Sequence, residues 1–225
     1  MCIRDRDCTA ALEVEGATAE LTARALINRG AAKGSTGDHH GEIADCTAAL
    51  EVEGATAETT AWALINRGAA KGSTGDHRGA IADWAAVLQT NKATTEDWIQ
   101  AALGVLASSA ETERVLDGVA TVVAAAADRL GHAPACDAND TLTTLLNRAA
   151  HPFLREAWPQ LWHGLQNGLA DTEAAAKLHA LEPVAEVLES GSRAVLNELP
   201  PEEREFAELV LQRFEPQPQP EKPDG

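Results

Sequence analysis

A segment of 38 residues is written twice in succession, over 7–44 and 45–82, and the two copies differ at only four aligned pairs: Leu21/Thr59, Arg24/Trp62, His40/Arg78 and Glu42/Ala80. A third copy starts at Asp83 and keeps Ala86, Leu88, Ala93, Thr94 and Glu96 in register before the likeness fades. Repetition at a period of about 20 to 50 residues constrains the fold more than any other feature, because one unit cannot bury its own apolar face and must lean on its neighbours. The expectation is a stacked array.

The pattern inside a unit specifies two helices. Over 57–71, Ala61, Leu64 and Gly68 recur at i, i+3, i+7, and over 78–90 Ile81, Trp84 and Leu88 do the same. Between them Ser73-Thr74-Gly75 breaks the first helix, Gly75 suits the left-handed position that follows a helix, and Asp76 is a good N-cap for the second. Composition agrees: the apolar share is rich in Ala, and three Phe, five Trp and no Tyr favour closely packed helices over strands.

Leu64, Asn66, Gly68, Gly75-Asp76, Ala80-Ile81 and Trp84, echoed as Leu26, Asn28, Gly30, Gly37-Asp38, Ile43 and Cys46, resemble the tetratricopeptide repeat family, in a bacterial variant of 38-residue period. The resemblance covers about residues 7–92. It implies an all-α helix-turn-helix solenoid in which helix A of each unit lines a concave peptide-binding groove. The family period is 34, so four added residues, about one helical turn, are expected to lengthen the start of helix A. Glu42 stands where the family has a small Ala, Lys33 and Lys71 where it has Tyr, and Gly54 and Lys92 where it has Pro.

Beyond residue 91 the composition changes, since all ten prolines lie past residue 130. Thr94 to Asp97 reads as a capping-box start for a helix to about Ser108. An amphipathic helix over 111–130 follows, with Val115, Val119, Val122, Val123 and Ala126 on one stripe, stopped by Gly131 and Pro134. Shorter helices are expected over 140–150, 153–169, 171–181 and 183–188, punctuated by Pro152, Pro159 and Pro183, and a last one from Pro200 or Pro201 to Phe214 that buries Phe206, Leu209, Val210 and Phe214. The resulting division is a non-native leader at 1–6, a repeat array at 7–108, a helical C-terminal region at 109–214 that caps or extends it, and a disordered tail at 215–225. The leader breaks the repeat abruptly and resembles translated sequencing-adaptor reads, so the chain is expected to be truncated at its N-terminus.

The formal charge of −17 excludes several partners, because such a surface repels phosphate backbones and anionic lipid; nucleic acid is not expected, nor is a membrane, since no run of about 18 apolar residues is present. Residues 92–225 carry 22 acids and 10 bases, the more acidic part. Four cysteines form no CxxC pair, and Cys8 and Cys46 hold the same register position, so reduced, buried thiols in a cytoplasmic protein are expected and no disulfide or zinc site.

Catalytic motifs were sought without success. The run Gly30 to Gly37 places Lys33 before Gly-Ser-Thr and after a helix, the wrong order and context for a phosphate loop. Asp137-Ala138-Asn139 opens like a calcium loop but Thr141 and Leu142 replace its next ligand and its Gly. His39, His40 and His77 fall between helices, and no HExxH occurs. His151, Glu156 and His163 flank Trp158 and Trp162, whose spacing with Leu154 and Leu165 reads as a satellite core. Asn139 heads a glycosylation sequon.

One face remains. Arg24, Asn28, Ala31 and Ser35 recur as Trp62, Asn66, Ala69 and Ser73, opposite the apolar side of helix A. The resemblance implies that Asn28 and Asn66 bond the backbone of a bound peptide, a short ladder that stops at Gly104. The expected function is therefore non-catalytic binding of a protein or peptide through Arg24, Asn28, Trp62 and Asn66, with no cofactor and no metal. The alternative is a regulatory or sensor segment of a larger enzyme whose catalytic part lies upstream.

Overall fold

A computed structural model describes residues 8, 9, 12, 16–90, 92–133, 135–149 and 157–212. The leader at 1–6, the tail at 215–225 and Phe214 lie outside them. The fold is all-α: the described residues form ten α-helices and one 3-10 helix, with Cys8, Thr9 and Leu12 also helical. In chain order these are α1 Ala19–Gly34, α2 His39–Leu50, α3 Ala57–Ser73, α4 His77–Leu88, α5 Thr95–Glu111, α6 Val115–His132, α7 Ala135–Ala149, α8 Trp158–Leu169, α9 Ala174–Ser190, the 3-10 helix Ala194–Glu198 and α10 Pro201–Gln212.

The three hairpins share their local chemistry at the start of helix A, and the first two share it at the turn as well. Thr18, Thr56 and Thr94 are the N-caps of α1, α3 and α5, their hydroxyls accepting from the backbone N–H of Leu21, Thr59 and Asp97 at 3.2, 3.2 and 3.1 Å. At α5 the cap is reciprocal, because the Asp97 carboxylate reaches back to the Thr94 N–H, the capping box expected there. Gly37 and Gly75 turn the chain at φ 86° and 85°, a conformation that strains any residue with a Cβ. Asp38 and Asp76 then cap α2 and α4, accepting from the N–H of Gly41 and Gly79 at 2.9 and 3.0 Å. Helix A spans 16 to 17 residues in α1, α3 and α5, helix B 12 in α2 and α4.

Packing is sequential, as in a solenoid. The hairpins α1–α2, α3–α4 and α5–α6 stack so that α2 touches α3 and α4 touches α5, while α1, α3, α5 and α7 lie side by side in one layer. After the third hairpin the order changes: α8 packs on α6, α9 bridges α7 and α8, and α10 with the 3-10 helix closes over α9. One apolar core runs without a break from Ala61 through Trp98, Val122, Leu145, Leu165 and Val184 to Leu211.

Three expectations for the C-terminal part need correction. Pro183 does not separate two helices but lies inside α9. An interior Pro costs about 3 kcal/mol, yet Leu178, Leu181, Val184, Ala185 and Val187 are buried on both sides of it, and their common burial keeps the helix whole. Helix α7 starts at Ala135, five residues before the expected 140. In α10 the buried residues are Ala207, Val210 and Leu211, whereas Phe206 is 46% and Leu209 52% exposed.

Candidate binding face

The outer face of the helix A layer is built by register. Residues 38 apart stand in rows: Arg24, Trp62 and Gln100; Asn28, Asn66 and Gly104; Ala31, Ala69 and Ala107. Arg24, Asn28, Ala31, Trp62, Ala69 and Gln100 are exposed, and Asn66 is half-buried. All four residues singled out from the sequence thus lie on one face, and Trp62 is 41% exposed despite its size.

Two of them meet. The Arg24 guanidinium lies over the Trp62 ring, 5.9 Å from its centroid, within the reach of a cation–π contact. The pair joins successive helices A. Asn66 donates from Nδ2 to the Trp62 carbonyl at 2.9 Å, which leaves its second N–H and its Oδ1 uncommitted.

The ladder ends at Gly104 for a packing reason. A Cβ at Gly104 would fall 2.5 Å from Cδ2 of Trp84, and one at Gly68 would fall 2.7 Å from its Nε1, so the indole is held between two glycines. Its Nε1–H donates to the Ile65 carbonyl at 3.3 Å. An asparagine at 104 has no room while Trp84 is there.

Below the face, a buried aspartate ties each of the first two hairpins together. Arg29 grips Asp45 with two hydrogen bonds, Nε to Oδ2 at 2.9 Å and Nη2 to Oδ1 at 2.6 Å, and Lys33 Nζ reaches Oδ2 at 2.8 Å. Arg67 and Lys71 hold Asp83 with the same geometry at 2.9, 2.7 and 2.8 Å, and Arg67 Nη1 also donates to Thr47 Oγ1 of the preceding unit at 3.3 Å. Burial pushes the Asp45 carboxyl up, but hydrogen bonds and charge from Arg29 and Lys33 outweigh it and hold the group below its ordinary value. Lys33 and Lys71, which depart from the family pattern, are therefore parts of this clamp. The clamp is written in the sequence as Arg-x-x-x-Lys followed by Asp in both copies, a spacing that on its own does not distinguish buried charges from surface ones.

A second link crosses the seam between the copies. Glu20 of α1 accepts from the Thr59 hydroxyl at 2.6 Å and from the Thr56 N–H at 3.0 Å, so it caps the start of α3. These bonds, Thr59 foremost, lower its pKa. Thr59 is one of the four positions that differ between copies; its counterpart Leu21 is exposed.

The remaining chemistry is structural in character. Cys46 is buried and its thiol is pushed up to about 12, chiefly by burial, which removes it as a nucleophile. Cys8, expected to be equally buried, is only half-buried. Trp158 and Trp162 are buried and stacked at 6.1 Å, whereas His163 is exposed; His151, Leu154 and Glu156 lie outside the described residues. Thr141 of the sequon is fully buried in α7, whereas Asn139 is exposed. Among the described residues no three His, Cys, Asp or Glu side chains gather as metal ligands, and no helix is long and apolar enough to cross a membrane. A cleft of about 440 Å³ between the ends of α4, α6 and α7 is lined by Asp128, Arg129, His132 and Asp137. Its charges are mixed; both Nη atoms of Arg129 donate to the Ala93 carbonyl and the guanidinium lies near the Trp98 ring, while its buried Nε has no hydrogen-bond partner among the described residues.

No protein-family model matches the chain, and neither a curated protein nor a solved structure does.

Proposed function

We propose that this chain is a non-catalytic scaffold that binds a short extended peptide of a partner protein along the helix A layer. The observation that carries the reading is the exposed indole of Trp62, braced by Arg24 and followed on its own helix by an asparagine with free amide groups. An aromatic side chain left half in water gains from being covered, and such anchors dominate binding where they occur. The rows beside it fit an extended backbone. Ala31, Ala69 and Ala107 give a floor without side-chain bulk, and Asn28 and Asn66 offer both a donor and an acceptor to a peptide unit.

The test is selection of peptides from a random display library on the full chain, followed by titration of the recovered peptides. Trp62→Ala should weaken binding about 30-fold, the equivalent of roughly 2 kcal/mol for an aromatic anchor. Asn66→Ala should weaken it less, and neither should move the melting temperature appreciably, because Trp62 is exposed and Asn66 gives up only one bond within its own helix. Recovered peptides that bind the two variants as tightly as the parent would refute the reading.

A further inference from the structure

Helix α10 buries one face and leaves the other unusually composed. At about 100° per residue, Glu202, Glu205, Phe206 and Leu209 fall within one quadrant or so of the helix, opposite the buried Ala207 and Leu211. Two large apolar side chains, each about half exposed, therefore stand side by side between carboxylates. A single exposed Leu is ordinary on any surface. A Phe and a Leu on one ridge, each left about half exposed by the described residues, are a docking feature in want of a cover.

The charge around them says which cover fits. All four acids of α10, Glu202, Glu203, Glu205 and Glu208, are exposed and none has a hydrogen bond or ion pair among the described residues. The one base of the helix, Arg204, is turned inward, donating to the carbonyls of Leu196, Asn197 and Leu199 at 2.8, 3.0 and 3.3 Å. Over 171–212 the chain has ten acids against three bases. A second copy brings a second set of carboxylates to the same seam, and like charges brought together there oppose pairing. An anionic lipid surface is repelled for the same reason.

We propose that the outer face of α10 docks a basic amphipathic segment of a partner protein, whose apolar side covers Phe206 and Leu209 while its Lys and Arg side chains pair with Glu202 and Glu205. This mode, an amphipathic helix laid against an apolar ridge, is separate in place and chemistry from the peptide face of α1 and α3. It gives the molecule two attachment points at opposite ends of the described chain.

The experiment titrates the full chain with three labelled synthetic peptides: a helical Leu/Lys amphipath, the same peptide with Glu for Lys, and the same with Ser for Leu. Binding of the Leu/Lys peptide alone is the expected result, since both apolar cover and positive charge are required. Phe206→Ser with Leu209→Ser should weaken it at least about tenfold. Glu202→Gln with Glu205→Gln should weaken it and flatten its dependence on salt. All four side chains are exposed, so helicity should be unchanged, and Trp62→Ala should bind the peptide as the parent does. Equal binding to the Phe206/Leu209 variant would reduce the effect to general attraction and overturn the proposal. So would failure of the parent chain to bind. Sedimentation of the full chain alone should give a monomer; a dimer abolished by the same pair of substitutions would identify a second copy as the cover and overturn the proposal.

Discussion

Glu42 and Ala80 hold the same register position, yet one brings a carboxylate into a buried site. The Glu42 side chain lies directly over Gly34, and His39 Nδ1 is its polar neighbour at 3.5 Å. Burial raises the Glu42 pKa, with the bond and charge of His39 pulling weakly the other way. For an acid raised by folding, the folded state binds the proton more tightly than the unfolded one. Ionisation then opposes folding, so stability is fuller below the ordinary carboxylate range and falls as pH rises through the folded value. Glu42→Gln, which keeps the volume and drops the charge, should raise stability at neutral pH by about 0.5–1 kcal/mol, and the gain should vanish near pH 4. Denaturant melts of the two chains at both pH values check it; a gain that persists at acid pH would mean the charge is not its source. Position 42 was marked in the sequence by the absence of the small residue the family pattern leads one to expect. What the sequence does not reveal at this scale is contact between helices: Arg24 and Trp62 are legible as one face, but not as a cation–π pair, and nothing local marks Asp45 and Asp83 as buried. Charged residues in a repeat read as surface until a fold shows which of them face inward.

Between elements, three substitutions compensate one another from copy to copy. The first seam carries Glu42, Cys46 and Asn66, and the second carries Ala80, Trp84 and Gly104 in the same register. A Cβ built at Gly72 would meet Ser108 Oγ and the edge of the Trp84 ring at 3.9 Å and Ala80 at 4.0 Å, whereas one at Gly34 would run into the Glu42 carboxylate. The large indole thus replaces the length of Glu42 and claims the room that a side chain at 104 would need. Cys46→Trp alone should therefore overpack the first seam against Asn66 and Glu42 and cost about 1–3 kcal/mol. Adding Glu42→Ala and Asn66→Gly should recover most of the loss, a coupling that a mutant cycle reads from thermal or denaturant melts. Additive penalties would show that the seams pack differently despite their register. At this scale the repeat made hairpins, turns and caps legible, since period, Gly and N-cap residues are local signals. Past residue 133 no repeat constrains the chain, and local signals mislead. Pro183 is overridden by burial on both sides, and the spacing of Phe206 and Leu209 with Val210 did not tell which side of α10 meets α9.

At the scale of the whole molecule the apolar interior is unequally shared. The large core extends from α3 to α10, but the first hairpin has a small cluster of its own, Ala23, Leu26, Ile27 and Ala49, joined to the next unit through Ala63. Partly buried Ala48, Leu50, Val52 and Ala55 pack around it, and polar bonds add to this: the Asp45 clamp within the hairpin, and the Glu20 and Arg67 bonds across the seam. Arg29 and Lys33 stay partly exposed, so water competes for one side of each bond, and the desolvation of the buried Asp45 carboxylate offsets part of what the bonds contribute. In a stacked array each unit is stabilised by its intrinsic packing and by its interfaces, so a unit with a thin apolar interface can open without the rest. Native-state hydrogen exchange on the full chain should therefore place the amides of α1 and α2 in an opening unit at least about 1 kcal/mol below that of α5, α6 and α8, with α3 between them. Trp62, on α3, then stands at the border between the firm body and the looser hairpin that carries Arg24. A peptide seated across that border contacts both, and it should slow exchange in α1 and α2 more than in α8, by mass action on the closed state alone. Exchange that is uniform from α1 to α8, with or without peptide, would mean that the polar ties couple the first hairpin to the core as firmly as apolar packing does elsewhere.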